Sequence, residues 1–267
     1  MKPKTQIILI AVCAFVLLAA FIGVLVLYPV PEKLKDMPVT GTLPYEQVEN
    51  TPTEETDPTP QQTENPINLT VVIDPGHGFG DPGTGLGLLE NGLAEKDISL
   101  LYSQKLKDAL KEKGIASVLT HEDNVIPADA EETPYLFSLR QRIDFTENLP
   151  DRGLFVSLHV DSYEADESVC GTRIYYNKSE NTDADNFCGF LTENIDEAIG
   201  EKRARVFPME GEDIYAVVQH ITDIPSVLIE IGFVSNESDR NLMQSEEWQD
   251  RFVSSIADAI VEFLQNR

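Results

Sequence analysis

From Leu69 onward, short apolar runs alternate with stretches of helical periodicity, and this alternation restricts the region to a sheet packed between helices. Leu69–Asp74 (LTVVID) ends in a Pro-Gly turn, the pattern of a buried strand. Ala116–Thr120, Leu154–His159, Thr172–Tyr176 and Ser226–Ile231 read as further strands. Lys96–Lys113 carries Ile98, Leu101, Leu106 and Leu110 on one side and stops at Gly114. Ser138–Asn148 is a short helix, Asn186–Ile199 is a helix stopped by Gly200, and Glu246–Leu264 is a closing amphipathic helix. The expected class is α/β, with helices on both faces of the sheet. There is no internal repeat.

The N-terminus follows different rules. After Lys2 and Lys4, residues Ile7 to Tyr28 contain no charge. About 20 apolar residues at about 1.5 Å each span the ~30 Å hydrocarbon core of a bilayer. A cleaved signal peptide has a shorter apolar stretch and a small-residue cleavage site, and Val24 to Pro31 offers no Ala-x-Ala. Residues 1–28 are therefore expected to be a membrane anchor, with its helix at 7–28. Lys2 and Lys4 favour an inside N-terminus against Lys33 and Lys35 beyond the span. The expected location is the cell membrane, single-pass, with the region from Leu69 onward outside; cleavage would give a secreted form. Residues 29–68, rich in Pro, Thr, Glu and Gln, read as a disordered tether with a mean reach of roughly 35 Å.

The net charge is −26. Lys2 and Lys4 give residues 1–28 a charge of +2, and eight acids against two lysines give residues 29–68 a charge of −6, which leaves −22 on residues 69–267. Such a domain excludes nucleic acid and anionic lipid as partners of its surface. It is expected to act as a monomer.

Two of the four histidines end strands: His77 follows Asp74-Pro75-Gly76, and His159 closes VSLH. Glu230 ends VLIE, and Glu95 opens the first helix. In open α/β sheets, ligands gather beyond the carboxyl ends of the strands. Two histidines and a carboxylate are a common catalytic zinc set, and a further carboxylate can serve as general base and acid. On spacing alone, a strand-end histidine is more often a hydrogen-bonded structural residue than a ligand.

DPGHG at 74–78, GLAEKDISL at 92–100, VSLHVDS at 156–162 and LIEIGFVSN at 228–236 resemble the N-acetylmuramoyl-L-alanine amidase family 3, in that family's order. LTHED at 119–123 and LRQRIDF at 139–145 are similar to its weaker intervening elements. The resemblance covers about residues 69–265. It implies a twisted, largely parallel sheet flanked by helices. It also implies a Zn²⁺ bound by His77, Glu95 and His159, with Glu230 as the catalytic glutamate. The implied substrate is peptidoglycan, a glycan strand with its stem peptide, cut between N-acetylmuramic acid and L-alanine. Two departures stand out: Phe79 where the family usually has a second Gly, and Leu-His-Val-Asp at 158–161 where it more often has Ile-His-Ala-Asn. Two other readings compete with this one: a zinc peptidase or amidase on another amide, and a catalytically silent wall-binding regulator of the same fold.

Around that core, Asp74 reads either as an orienter of the His77 loop or as a turn residue, and Asp161 either as a support of His159 or as a turn residue. Glu90 is a rival ligand to Glu95. His121 is expected on a surface loop and His220 on a solvent-facing or packing position. Arg140 and Arg142 read as salt-bridging residues or as contacts to an acidic substrate group. Cys170 and Cys188 are either bridged in an oxidising compartment or two buried thiols.

Overall fold

Residues Val71 to Pro75 are buried on both sides, which a strand sustains only inside a sheet covered on both faces. This strand, β1 (Thr70–Pro75), belongs to a computed structural model that describes residues 69–84, 94–122, 132–200, 203–211 and 215–267. The expected anchor (7–28), the tether (29–68) and Glu90 lie outside those residues. No helix among the described residues is long and apolar enough to cross a membrane.

β1 pairs in parallel with β2 (Ser117–Leu119) and with β3 (Arg152–Asp161). β3 pairs in parallel with β6 (Ser226–Phe233). β6 meets β4 (Arg173–Asn177) antiparallel, and β4 meets β5 (Arg205–Met209) in parallel. The order is β2-β1-β3-β6-β4-β5. The sheet is largely parallel, as the resemblance implies, with one antiparallel pairing that makes it mixed: β4 and β5 run against the other four. Their first residues therefore reach the rim where β1, β3 and β6 finish.

Helices lie on both faces. α1 (Glu95–Glu112), α3 (Thr182–Ile199) and α6 (Glu246–Gln265) cover one face, where Ile98, Tyr102, Phe187, Phe252 and Phe263 join Val156 and Ile229 in the main core. Fully burying such a side chain contributes roughly 1.5–3 kcal/mol. The other face packs Val72, Phe155, Tyr175 and Leu228 with residues of α2 (Pro134–Asn148) and α4 (Ala216–His220). This thinner cover leaves room for a site on the same face.

Several elements differ from the sequence reading, among them α3, which begins at Thr182 rather than Asn186, and α4, which the sequence reading did not delimit. β5 (RVFPM) has no fully buried residue and contains Pro208, which an edge strand tolerates, so its pattern is weak. α5 (Glu237–Met243) is a short helix capped by the side chain of Asn236, which accepts from Asp239 N–H. α2 begins at Pro134, earlier than its apolar spacing suggests, because Thr133 caps it and Pro134 suits its first turn. Cys170 and Cys188 are free thiols: Cys188 is buried in the main core, and Cys170 is exposed rather than buried.

Candidate metal centre and active site

His77 leaves β1 through left-handed backbone. Its own φ is 65°, and that of Phe79 is 52°. Left-handed conformation costs a non-glycine residue about 1–2 kcal/mol, and such strain gathers at functional sites. Three contacts hold it here. Ser138 Oγ on α2 donates to the His77 carbonyl at 2.6 Å. His77 Nδ1 lies 2.8 Å from Asp81 Oδ2. The Phe79 ring packs 4.9 Å from His121 and 5.6 Å from Phe137. Pairing Nδ1 with Asp81 fixes the ring and turns Nε2 inward.

Glu95 is the first residue of α1. Asp97 fixes that helix start by accepting from Ala94 N–H at 2.8 Å. Glu95 Oε2 accepts from Thr84 N–H at 2.8 Å, and Oε1 accepts from Val160 N–H at 3.0 Å. His77 Nε2 and His159 Nδ1 each lie 3.0 Å from that same Oε1. The three ligand atoms fall within 4.8 Å of one another. Two imidazole nitrogens converging on one carboxylate oxygen is a donor set that fits a divalent cation, as the sequence reading of His77, Glu95 and His159 anticipates.

Glycine makes this convergence possible. A Cβ on Gly76 would sit 2.6 Å from the His159 ring, and one on Gly83 would sit 2.5 Å from Glu95 Oε2. Gly83 also has φ +70°, a conformation that side chains disfavour.

The electrostatics follow from burial and charge. Burial would raise the Glu95 pKa, but hydrogen bonds and charge from His159 and His77 hold it well below the usual carboxylate range. Burial would lower His77, yet Glu95 and Asp81 raise it overall. His159 is lowered, with burial outweighing Glu95 and the charges of His77 and Arg142 adding to it. A neutral imidazole is the ligating form.

Asp74 is wholly buried behind the site. It accepts from Thr120 Oγ1 at 2.7 Å, Ser157 Oγ at 2.7 Å, and both Nε and Nη2 of Arg142 at 2.8 and 2.7 Å. Burial opposes its charge, but Arg142 and the two hydroxyls hold its carboxyl below the usual range. Arg142 Nη2 lies 3.5 Å from His159 Nε2, so the pair braces the back of that ring. Asp74 is therefore an anchor of the site rather than a turn residue, and Arg142 is a buried two-pronged partner rather than a surface one. Arg140 forms the ordinary partly exposed salt bridge, to Glu132.

Glu230 on β6 is the register neighbour of His159 on β3. It is buried, and its Oε2 has no hydrogen-bond partner among the described residues. Burial, then the charges of Glu95 and Asp161, raise its pKa well above the ordinary glutamate value against the pull of Arg173. It stands beside the cluster of His77, Glu95 and His159 without belonging to it.

His121 is buried rather than on the surface, with Nε2 3.1 Å from the Pro75 carbonyl. His220 is exposed on α4, as expected. Asp161 accepts from Ser162 N–H and faces Arg173 at 3.7 Å, so it is not a partner of the His159 ring. Sequence reasoning missed Asp81, Thr120, Ser138 and Ser157. Ser157 carried a signal, as a hydroxyl inside an otherwise apolar strand; Asp81 and Ser138 carried none outside the fold.

Comparison with known proteins agrees with this geometry. Residues 71–262 match the family profile described as N-acetylmuramoyl-L-alanine amidase. An uncharacterized Bacillus subtilis protein, YqiI, is 32% identical over 201 residues, 74% of this chain and 87% of YqiI. The germination-specific N-acetylmuramoyl-L-alanine amidase of Bacillus subtilis is 27% identical, covering 74% of this chain and 80% of that protein. Among solved structures, the CwlD amidase from Clostridioides difficile, in complex with the GerS lipoprotein, is 29% identical with a TM-score of 0.66, covering 75% of this chain and 100% of that one.

Proposed function

Because this chain belongs to the N-acetylmuramoyl-L-alanine amidase family and is a peptidoglycan amide hydrolase, we propose that it works with zinc held by His77, Glu95 and His159, and that it cuts the bond between N-acetylmuramic acid and L-alanine. The carrying observation is the convergence of His77 Nε2, Glu95 Oε1 and His159 Nδ1 within 4.8 Å, beside the open Oε2 of Glu230. Zinc, when bound, lowers the pKa of water toward ~7 and polarises a carbonyl. The chain's own residues do the rest. Asp81 keeps the His77 Nε2 lone pair forward, and Arg142 with Asp74 backs the His159 ring. Glu230 takes a proton from the attacking water and passes it to the departing nitrogen of L-alanine. Its burial suits that role, since a carboxylate whose pKa is raised is a stronger base. An unpartnered buried carboxylate beside a ligand triad supports an active enzyme over a silent regulator.

The zinc assignment has a direct check. Metal analysis of full-length protein should find about one zinc per chain, as a site of two histidines and a carboxylate requires. His159→Ala should hold sharply less, and unchanged stoichiometry would sink the ligand set.

The uncharged run Ile7–Tyr28 supports a single-pass anchor, and Lys2 and Lys4 with the peptidoglycan substrate support a catalytic region outside the membrane. One preparation tests the anchor and the bond together. Full-length chain should stay in carbonate-washed membranes and should release products with lactyl-ether sugar ends and free L-alanine N-termini from purified peptidoglycan. Chain in the wash would remove the anchor, and other peptide ends would move the cut to another amide.

A further inference from the structure

The catalytic row of the sheet continues past Glu230. His159 on β3 pairs with Glu230 on β6, Glu230 with Arg173 on β4, and Arg173 with Arg205 on β5. Residues in register on neighbouring strands direct their side chains to one face. Because β4 runs against β6, its first residue is the one delivered beside Glu230.

Arg173 is held but not satisfied. Its guanidinium carbon lies 4.5 Å from the Phe233 ring centre and 5.2 Å from that of Phe207. Its side chain is 30% exposed. Its only hydrogen bond among the described residues is to Tyr175 OH, at 3.4 Å. The nearest carboxylate oxygen, Asp161 Oδ2, is 3.7 Å from Nη1, beyond hydrogen-bond reach. Every other described arginine except Arg205 donates to a carboxylate or a backbone carbonyl. In a region carrying −22, acids are plentiful, yet this fork of donors is left open at the catalytic rim.

We propose that Arg173 recognises a carboxylate on the stem peptide, on the leaving-group side of the scissile amide; the inference rests on the amidase reading above. The sugars of the glycan carry no ionised group next to that amide, so an anion there belongs to the peptide. Arg173 stands one strand from Glu230, about 4.8 Å, and each peptide residue spans at most about 3.6 Å. The carboxylate therefore lies one to two residues past the scissile nitrogen. That is the α-carboxylate of the γ-linked glutamate that follows L-alanine. A guanidinium braced on two rings loses little freedom when it forks onto a carboxylate.

The test uses two soluble muropeptides that differ only in this group, a free α-carboxylate in one and its amide in the other. Zinc-loaded full-length protein should show a kcat/KM about 10- to 100-fold higher on the free acid, the worth of a charge-assisted hydrogen bond. In Arg173→Gln the ratio should collapse toward one, and Arg173→Lys, which keeps the charge without the fork, should retain part of it. A wild type that treats both compounds alike overturns the inference and leaves the amidase reading standing. A Gln variant that loses the two activities in equal proportion also overturns it, because the arginine would then only brace the site. A wild type inactive on both compounds defeats the amidase reading and this inference with it.

Discussion

Glu230→Gln should lower peptidoglycan hydrolysis by about 10²–10⁴-fold and leave zinc content unchanged. Glutamine keeps the shape of the side chain and loses the ability to take a proton. Glu230 is outside the cluster of His77, Glu95 and His159, so the substitution leaves all three proposed metal donors in place. The buried Oε2 has no partner among the described residues, so the substitution breaks no hydrogen bond that holds the fold. Single-turnover hydrolysis with parallel metal analysis separates the two effects. Near-normal hydrolysis removes Glu230 from proton transfer, and loss of zinc makes it a ligand instead.

Arg142→Met should destabilise the catalytic domain by about 3–5 kcal/mol, because it leaves the Asp74 carboxylate buried without its cation. For a domain of this size that is a fall of roughly 6–20 °C in Tm. The two hydroxyls of Thr120 and Ser157 still donate to Asp74, but they cannot neutralise it. The pair also sets an acid limit. Asp74 has a folded-state pKa below its unfolded value, so its contribution is present above about pH 4 and is lost as the pH falls through the depressed folded value. The variant should show a smaller loss of stability over that acid range than the wild type. Thermal melts between neutral pH and pH 3 check both statements. A Tm within about 2 °C of wild type at neutral pH would mean that Arg142 carries no such load.

Much of this protein was legible before any fold was in hand. The strands at 69–74, 154–159 and 226–231 are continuous apolar runs, and central strands buried on both faces have to be. His77, His159 and Glu230 stand at or near the carboxyl ends of those runs, and an open α/β sheet gathers its chemistry at that rim. Helical spacing from Lys96 set the start of α1 within one residue, at Glu95, and the choice of Glu95 over Glu90 came from the resemblance of GLAEKDISL. β5 was not legible, because an edge strand with Pro208 and no buried residue carries no periodic signal.

Local pattern could therefore bring these histidines and glutamates to one rim of the sheet, because burial periodicity is written into neighbouring residues; their roles with a metal and a proton came from the family resemblance. Local pattern could not say what stands behind or beside them. Asp74 meets Arg142 across 68 positions, and Ser138 meets the His77 carbonyl across 61. The antiparallel entry of β4, which sets Arg173 beside Glu230, is a choice of strand order and direction. Contacts of that kind are settled by how the whole sheet assembles and which faces the helices cover, so they appear only once the chain has closed on itself.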